Sequence, residues 1–169
     1  MPGQLTFWTI GHSNADLDML FHLLAAQGVD TLVDVRSVPH SRFVPQANRE
    51  VLESVSARHG IGYCFQGADL GGRPRNHDLF LPNGKPDYDR MQNEDTYHRG
   101  ITLVQDLAMD HRVCLLCSEE DPAACHRTLL IARTLTDMGH RVLHIRHDGT
   151  TENQDQVMHR VTGGQLMLF

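Results

Sequence analysis

Lysine is almost missing from this chain: Lys85 stands alone against fourteen arginines. Genome composition accounts for such a bias more simply than function does, and an arginine excess spread over the whole length locates no site. Long apolar runs are missing too. None approaches the roughly 18 residues of a membrane span, so no membrane association is expected. The N-terminal "MPGQLTFWTIGHSN" lacks a basic region and a signal-peptide cleavage pattern, which makes the cytoplasm the expected location. Net positive charge is absent as well: at a formal −6, no global basic field holds nucleic acid non-specifically. Cysteine is sparse. Four residues, Cys64, Cys114, Cys117 and Cys125, without a secretory leader read as reduced thiols and not as a disulfide framework.

What is present has an ordinary globular balance, 40% hydrophobic and 21% charged, and 169 residues suit one domain with a substantial core. "QLTFWTI" reads as a buried strand, and Ser13 or Asn14 as the cap of a helix with Leu17, Leu20, Phe21 and Leu24 at helical spacing. Gly28 ends that helix. "TLVDV", "IGYCF", "RVCLLC" and "RVLHI" supply four more strands. "ANREVLESVSARH" and "TYHRGITLVQDLAMDH" are helical stretches, and Asp121 with Pro122 predicts the start of a helix running to Met138. Residues 66–90, rich in glycine, proline and asparagine, form a loop long enough to suggest function. The predicted fold is α/β: a single domain of about five mainly parallel strands alternating with helices on both faces. Residues 1–146 make up this domain, and 147–169 read as an extension.

Ligands of such sheets bind at the carboxyl ends of the strands. This chain places His12, Ser13, Asp34, Arg36, Ser37, His40, Ser41 and Arg42 there, then Arg73 and Arg75 from the long loop. Cys117, Ser118, Glu119, Cys125, His126 and Arg127 follow, within "LLCSEEDPAACHR". Cys114 and Cys117 form a C-x-x-C pattern, but on a strand they point to opposite faces, so a redox pair is not expected and Cys114 belongs to the core. Cys117, Cys125 and His126 lack a second ligand pair, so no metal or other cofactor is assigned; zinc remains an alternative that needs His12 or His40 to approach. A thiol nucleophile at Cys125 or Cys117 is a further alternative. The simplest reading is an anion cradle. A helix N-terminus with Arg127, joined by Arg36, Arg42 and Arg73, would hold a phosphate-sized group beside Ser13 and Ser41, and Glu119 or His126 would transfer a proton.

"TIGHSN", "LVDVRSVPHSR", "LGGRP" and "LLCSEEDPAACHR" together resemble the signature segments of the DUF488 family, a domain of unknown function. The resemblance implies an α/β domain and groups His12, Ser13, Asp34, Arg36, Pro39, Ser41, Arg42, Cys117, Glu119, Cys125, His126 and Arg127 as site candidates; it names no reaction. The chain ends in "GGQLMLF". Gln165, Leu166, Leu168 and Phe169 are similar to the pentapeptide Gln-Leu-x-Leu-Phe, by which bacterial polymerases and repair proteins bind the sliding clamp. Three apolar anchors and a directed amide suit a hydrophobic groove. The combined expectation is an enzyme, a hydrolase or transferase, acting on a phosphate-bearing nucleotide or DNA substrate and recruited through the clamp. The alternatives are a non-catalytic clamp-binding accessory that binds a nucleotide or DNA end, and a metal- or thiol-dependent redox protein.

Overall fold

Burial on both faces marks the central strands: all five residues of Val113–Cys117 and all four of Thr31–Asp34 are buried. The computed structural model describes residues 3–163. In chain order its elements are β1 (Thr6–Gly11), α1 (Leu17–Ala26), β2 (Thr31–Asp34), α2 (Arg49–Arg58), β3 (Gly62–Phe65), the single turns α3 (Gly67–Leu70) and α4 (Tyr88–Met91), α5 (Asp95–Asp110), β4 (Val113–Cys117), α6 (Arg133–Asp137), β5 (Arg141–Ile145), β6 (Thr151–Asn153) and α7 (Gln154–Val161). They build a six-stranded sheet in the order β3-β2-β4-β1-β5-β6. The first five strands pair in parallel, and β6 runs antiparallel to β5.

Strand alternation sorts the core into two layers. Trp8, Ile10, Leu32, Cys114 and Leu116 pack with Leu20, Phe21 and Leu24 of α1 and Leu52 of α2. Phe7, Val33, Val113, Leu115 and Cys117 pack with Tyr97, Ile101 and Val104 of α5 and with Leu130 and Leu135 around α6. The α/β fold with helices on both faces is therefore observed. Cys114 and Cys117 lie in different layers, as the alternation requires. Among the described residues, no helix is long and apolar enough to cross a membrane.

Three local expectations are corrected. Helix α1 is capped by Asp16, whose carboxylate accepts from Met19 N, and not by Ser13 or Asn14. The His12 and Ser13 amides bond to Cys117 O and Ser118 O at 3.0 and 2.8 Å, which holds this turn on β4 and delays the helix. Asp121 caps only one 3₁₀ turn, Pro122–Ala124. Cys125 is then extended, and its carbonyl accepts from Thr128 N and Leu129 N to start a second helix. That helix is π-type over Arg127–Ala132 before it becomes α6. Finally, the sheet does not end at residue 146: β6 adds an edge strand, and α7, with an Asn153–Gln156 capping box, buries Val157.

Candidate active site

Strands β1, β2 and β4 end side by side, and their ladder continues into the loops through Val35 N to Leu116 O at 3.0 Å. Cys117 is the last residue of β4, and Cys125 and His126 lead into the next helix. The three side chains are buried, and their donor atoms lie within 4.8 Å of one another. His126 Nε2 is 3.0 Å from Val35 O, so it carries the proton and donates to that carbonyl. The bare Nδ1 therefore faces the sulfurs, 3.6 Å from Cys117 Sγ and 3.8 Å from Cys125 Sγ.

The "LGGRP" segment lies over this cluster for steric reasons. A Cβ on Gly72 would sit 2.7 Å from His126 Cγ, and one on Gly71 would sit 2.3 Å from Ser37 Oγ. Ser37 Oγ in turn accepts from Arg73 N at 2.9 Å, pinning the loop. Protons are shared within the cluster. A hydrogen bond from Cys125 holds the Cys117 thiol well below its usual range, with help from His126 and Arg127. Cys125, as the donor to Cys117 and by its burial, is pushed up. Burial opposes charge on His126, but the adjacent Cys117 sulfur raises it on balance.

The cluster forms the floor of a cleft of about 520 Å³. Arg73, Lys85, Tyr88, Ser118 and Glu119 rise around it. A larger depression of about 650 Å³ runs along α5 between His98 and His111, away from the strand ends and without a buried reactive group. Of the expected site residues, Arg36, Arg73, Cys117, Glu119, Cys125 and His126 border the same cleft. Arg75 borders a neighbouring cavity of about 400 Å³.

Several expected roles are corrected. Asp34 is not free for catalysis. It accepts from Arg36 N, Arg36 Nε at 2.9 Å, Arg36 Nη2 at 2.7 Å and the Tyr63 hydroxyl. Arg36, although at the cleft, is neutralised by that carboxylate, and its Nη1 serves Ala47 O at 2.8 Å and His12 Nε2 at 3.2 Å. Burial lowers the His12 pKa, so its neutral ring accepts from Arg36 at Nε2 and donates from Nδ1 to Ser13 O. Arg127 never reaches the mouth: it is fully buried, with Nη2 on Glu120 O at 3.0 Å. Ser13 sits at φ +46° in the β1 turn. The Ser41 hydroxyl accepts from the Phe43 and Val44 amides, and Arg42 lies over the exposed Phe43 ring. None of these three lines the cleft. His40 pairs with Glu50 on the surface, so neither it nor His12 joins the cysteines. His126 is buried with Nε2 held by Val35 O, and Glu119 is an exposed carboxylate at the cleft.

Sequence reasoning missed Lys85, Tyr88 and Gly72, while Ser37, which it did place at the strand ends, also borders the cleft. For Lys85 the available signal was its singularity as a lysine within the long loop. The segments around β2, the long loop and β4 that build this cleft fall within a match to the family model "Domain of unknown function DUF488", over residues 16–134. The chain belongs to the DUF488 family. No curated protein and no solved structure matches it. "TIGHSN", with His12 and Ser13, lies just before the matched DUF488 region. The terminal peptide Gln165, Leu166, Leu168 and Phe169 lies outside the described residues.

Proposed function

We propose that this DUF488 protein is an enzyme, a hydrolase or group transferase, that acts on a phosphate-bearing nucleotide or nucleic-acid substrate in the cleft above Cys117, Cys125 and His126. The observation that carries this reading is the pair of cations at the mouth. Arg73 and Lys85 are exposed on the cleft wall, and among the described residues neither is in an ion pair. A guanidinium fork and an ammonium placed over a buried polar floor suit phosphate oxygens. The cavity also falls in the size range that encloses small ligands. Glu119, exposed at the same mouth, accepts or donates the proton of the reaction. Asp34, Arg36 and His12 hold the floor in place.

The C-terminal Gln165–Phe169 peptide brings this site to DNA by binding the sliding clamp, through its resemblance to the clamp-binding pentapeptide. A tether of this kind raises the local concentration to about the millimolar range, so an acidic domain needs little affinity of its own for DNA.

Turnover of nucleotides and short oligonucleotides should fall at least about 10-fold in kcat/KM in Arg73→Ala, mainly through KM, because one charge-assisted contact is worth roughly 1.5–3 kcal/mol. Truncation after Gly164 should abolish clamp binding and leave turnover of free nucleotides intact. Ligand-induced stabilisation without any turnover across such a panel would replace the enzyme with a nucleotide-binding clamp accessory.

A further inference from the structure

We propose that Cys117, Cys125 and His126 bind a zinc ion, with its fourth coordination position open toward the cleft. A tetrahedral ion with Zn–S of about 2.3 Å and Zn–N of about 2.0 Å spaces nitrogen and sulfur roughly 3.5–3.6 Å apart. The observed separations from His126 Nδ1 are 3.6 Å to Cys117 Sγ and 3.8 Å to Cys125 Sγ. Both nitrogen–sulfur separations are close to that spacing, and the three atoms lie within 4.8 Å of one another.

An ion on the single Nδ1 lone pair would engage both sulfurs at once, in place of the hydrogen bond that Cys125 donates to Cys117. The ring is also held as metal-binding imidazoles are held: its other nitrogen donates to a backbone carbonyl, Val35 O, which fixes the tautomer and the direction of the free lone pair. Gly72 packs on the ring so closely that no side chain fits between them. Two thiolates and an imidazole in tetrahedral array select zinc among common divalent ions.

No fourth His, Cys or carboxylate joins the cluster among the described residues. A closed structural site would have one. Three protein ligands with one side facing a cleft is the pattern of a catalytic ion, whose bound water reaches a pKa of about 7. Here that water would face Glu119 and the cations of the mouth. The metal assignment stands on donor geometry and holds whether or not the cleft accepts a nucleotide.

Protein produced in zinc-supplemented medium and purified without chelator should carry about one zinc per chain by native mass spectrometry and elemental analysis. Cys117→Ser and Cys125→Ser should each lower occupancy to about a tenth or less, consistent with loss of a ligand from a site of three. Cys64→Ser, whose half-buried sulfur lies outside the cluster, should retain the ion. Because both ligand sulfurs are buried, a second measurement uses the wild-type chain: cobalt(II) added to metal-stripped protein should give intense visible bands of tetrahedral geometry and a near-ultraviolet sulfur-to-metal band. A zinc-free preparation whose stripped form takes up neither ion overturns the proposal. Turnover plays no part in these readouts, so failure of the substrate reading and failure of the metal site are separable.

Discussion

Arg36 follows β2, Arg127 lies against Gly11 at the end of β1, and β4 runs between them. Both are buried, at 5% and 0% exposure. Arg36 is saturated by a bidentate carboxylate, a carbonyl and an imidazole. Arg127 has one carbonyl, and its Nε and Nη1 have no partner among the described residues. The contrast shows what each charge does. Arg36 is cancelled where it stands and ties β2 to the turn at Ala47. Arg127 keeps its field, which lowers the proton affinity of Cys117 and Cys125. One arginine builds the floor, and the other polarises it.

The largest expected effect comes from breaking the saturated side. Arg36→Met leaves Asp34 fully buried and charged, with only the Tyr63 hydroxyl and the Arg36 backbone position for support. Removing one partner of a buried ion pair costs about 3–5 kcal/mol. Urea unfolding should report a loss of that size, and adding Asp34→Leu to the same chain should recover most of it. An Arg36→Met protein as stable as wild type would mean that the pair is not what holds this corner.

A second effect extends the comparison to a buried base within reach of Arg127. His144 accepts from the Thr9 hydroxyl at Nδ1 and donates from Nε2 to Gln154 Oε1, so it is held neutral. Burial first, and the Arg127 charge among lesser causes, brings its pKa down to about 4. The folded value thus lies below the unfolded one of about 6.5, so the contribution is complete above pH of about 6.5. It declines as pH falls toward the folded value, by about 3 kcal/mol in all. Unfolding free energies measured from pH 7.5 to 4.5 should fall accordingly, and His144→Gln should flatten the profile. A wild-type profile no steeper than that of the variant would place the pH dependence elsewhere.

Much of this architecture was legible. Short segments rich in apolar residues mark β1 to β5, and strand alternation separates Cys114 from Cys117. The sixth strand was not: "TEN" is short, polar and on an edge, so no alternation shows it. The break at Cys125 was hidden because Asp121–Pro122 is a sound cap signal that one 3₁₀ turn satisfies. At the site, the grouping of Cys117, Cys125 and His126 follows from chain order along β4 and the next helix. The difference between Arg36 and Arg127 does not, since two arginines near strand ends look alike until their acceptors are counted. Lys85 and Gly72 come from a loop without periodicity; Gly72 is placed by its packing on His126 and Lys85 by the turn that bonds it to Leu81 and Asn83, contacts that only the fold supplies.

The smallest effect is the most discriminating. Arg127 lacks a carboxylate partner among the described residues, so replacing it by an apolar side chain of similar length removes a desolvated charge without orphaning another. Such replacements are neutral or stabilising in many buried sites. Arg127→Met should therefore change unfolding free energy by no more than about 1 kcal/mol, several-fold less than Arg36→Met. Removing its field should also let His144 protonate more readily, shrinking the acid-side loss of stability relative to wild type. A cost for Arg127→Met equal to that of Arg36→Met would show that the two arginines are held alike, with an anion satisfying Nε and Nη1 in solution.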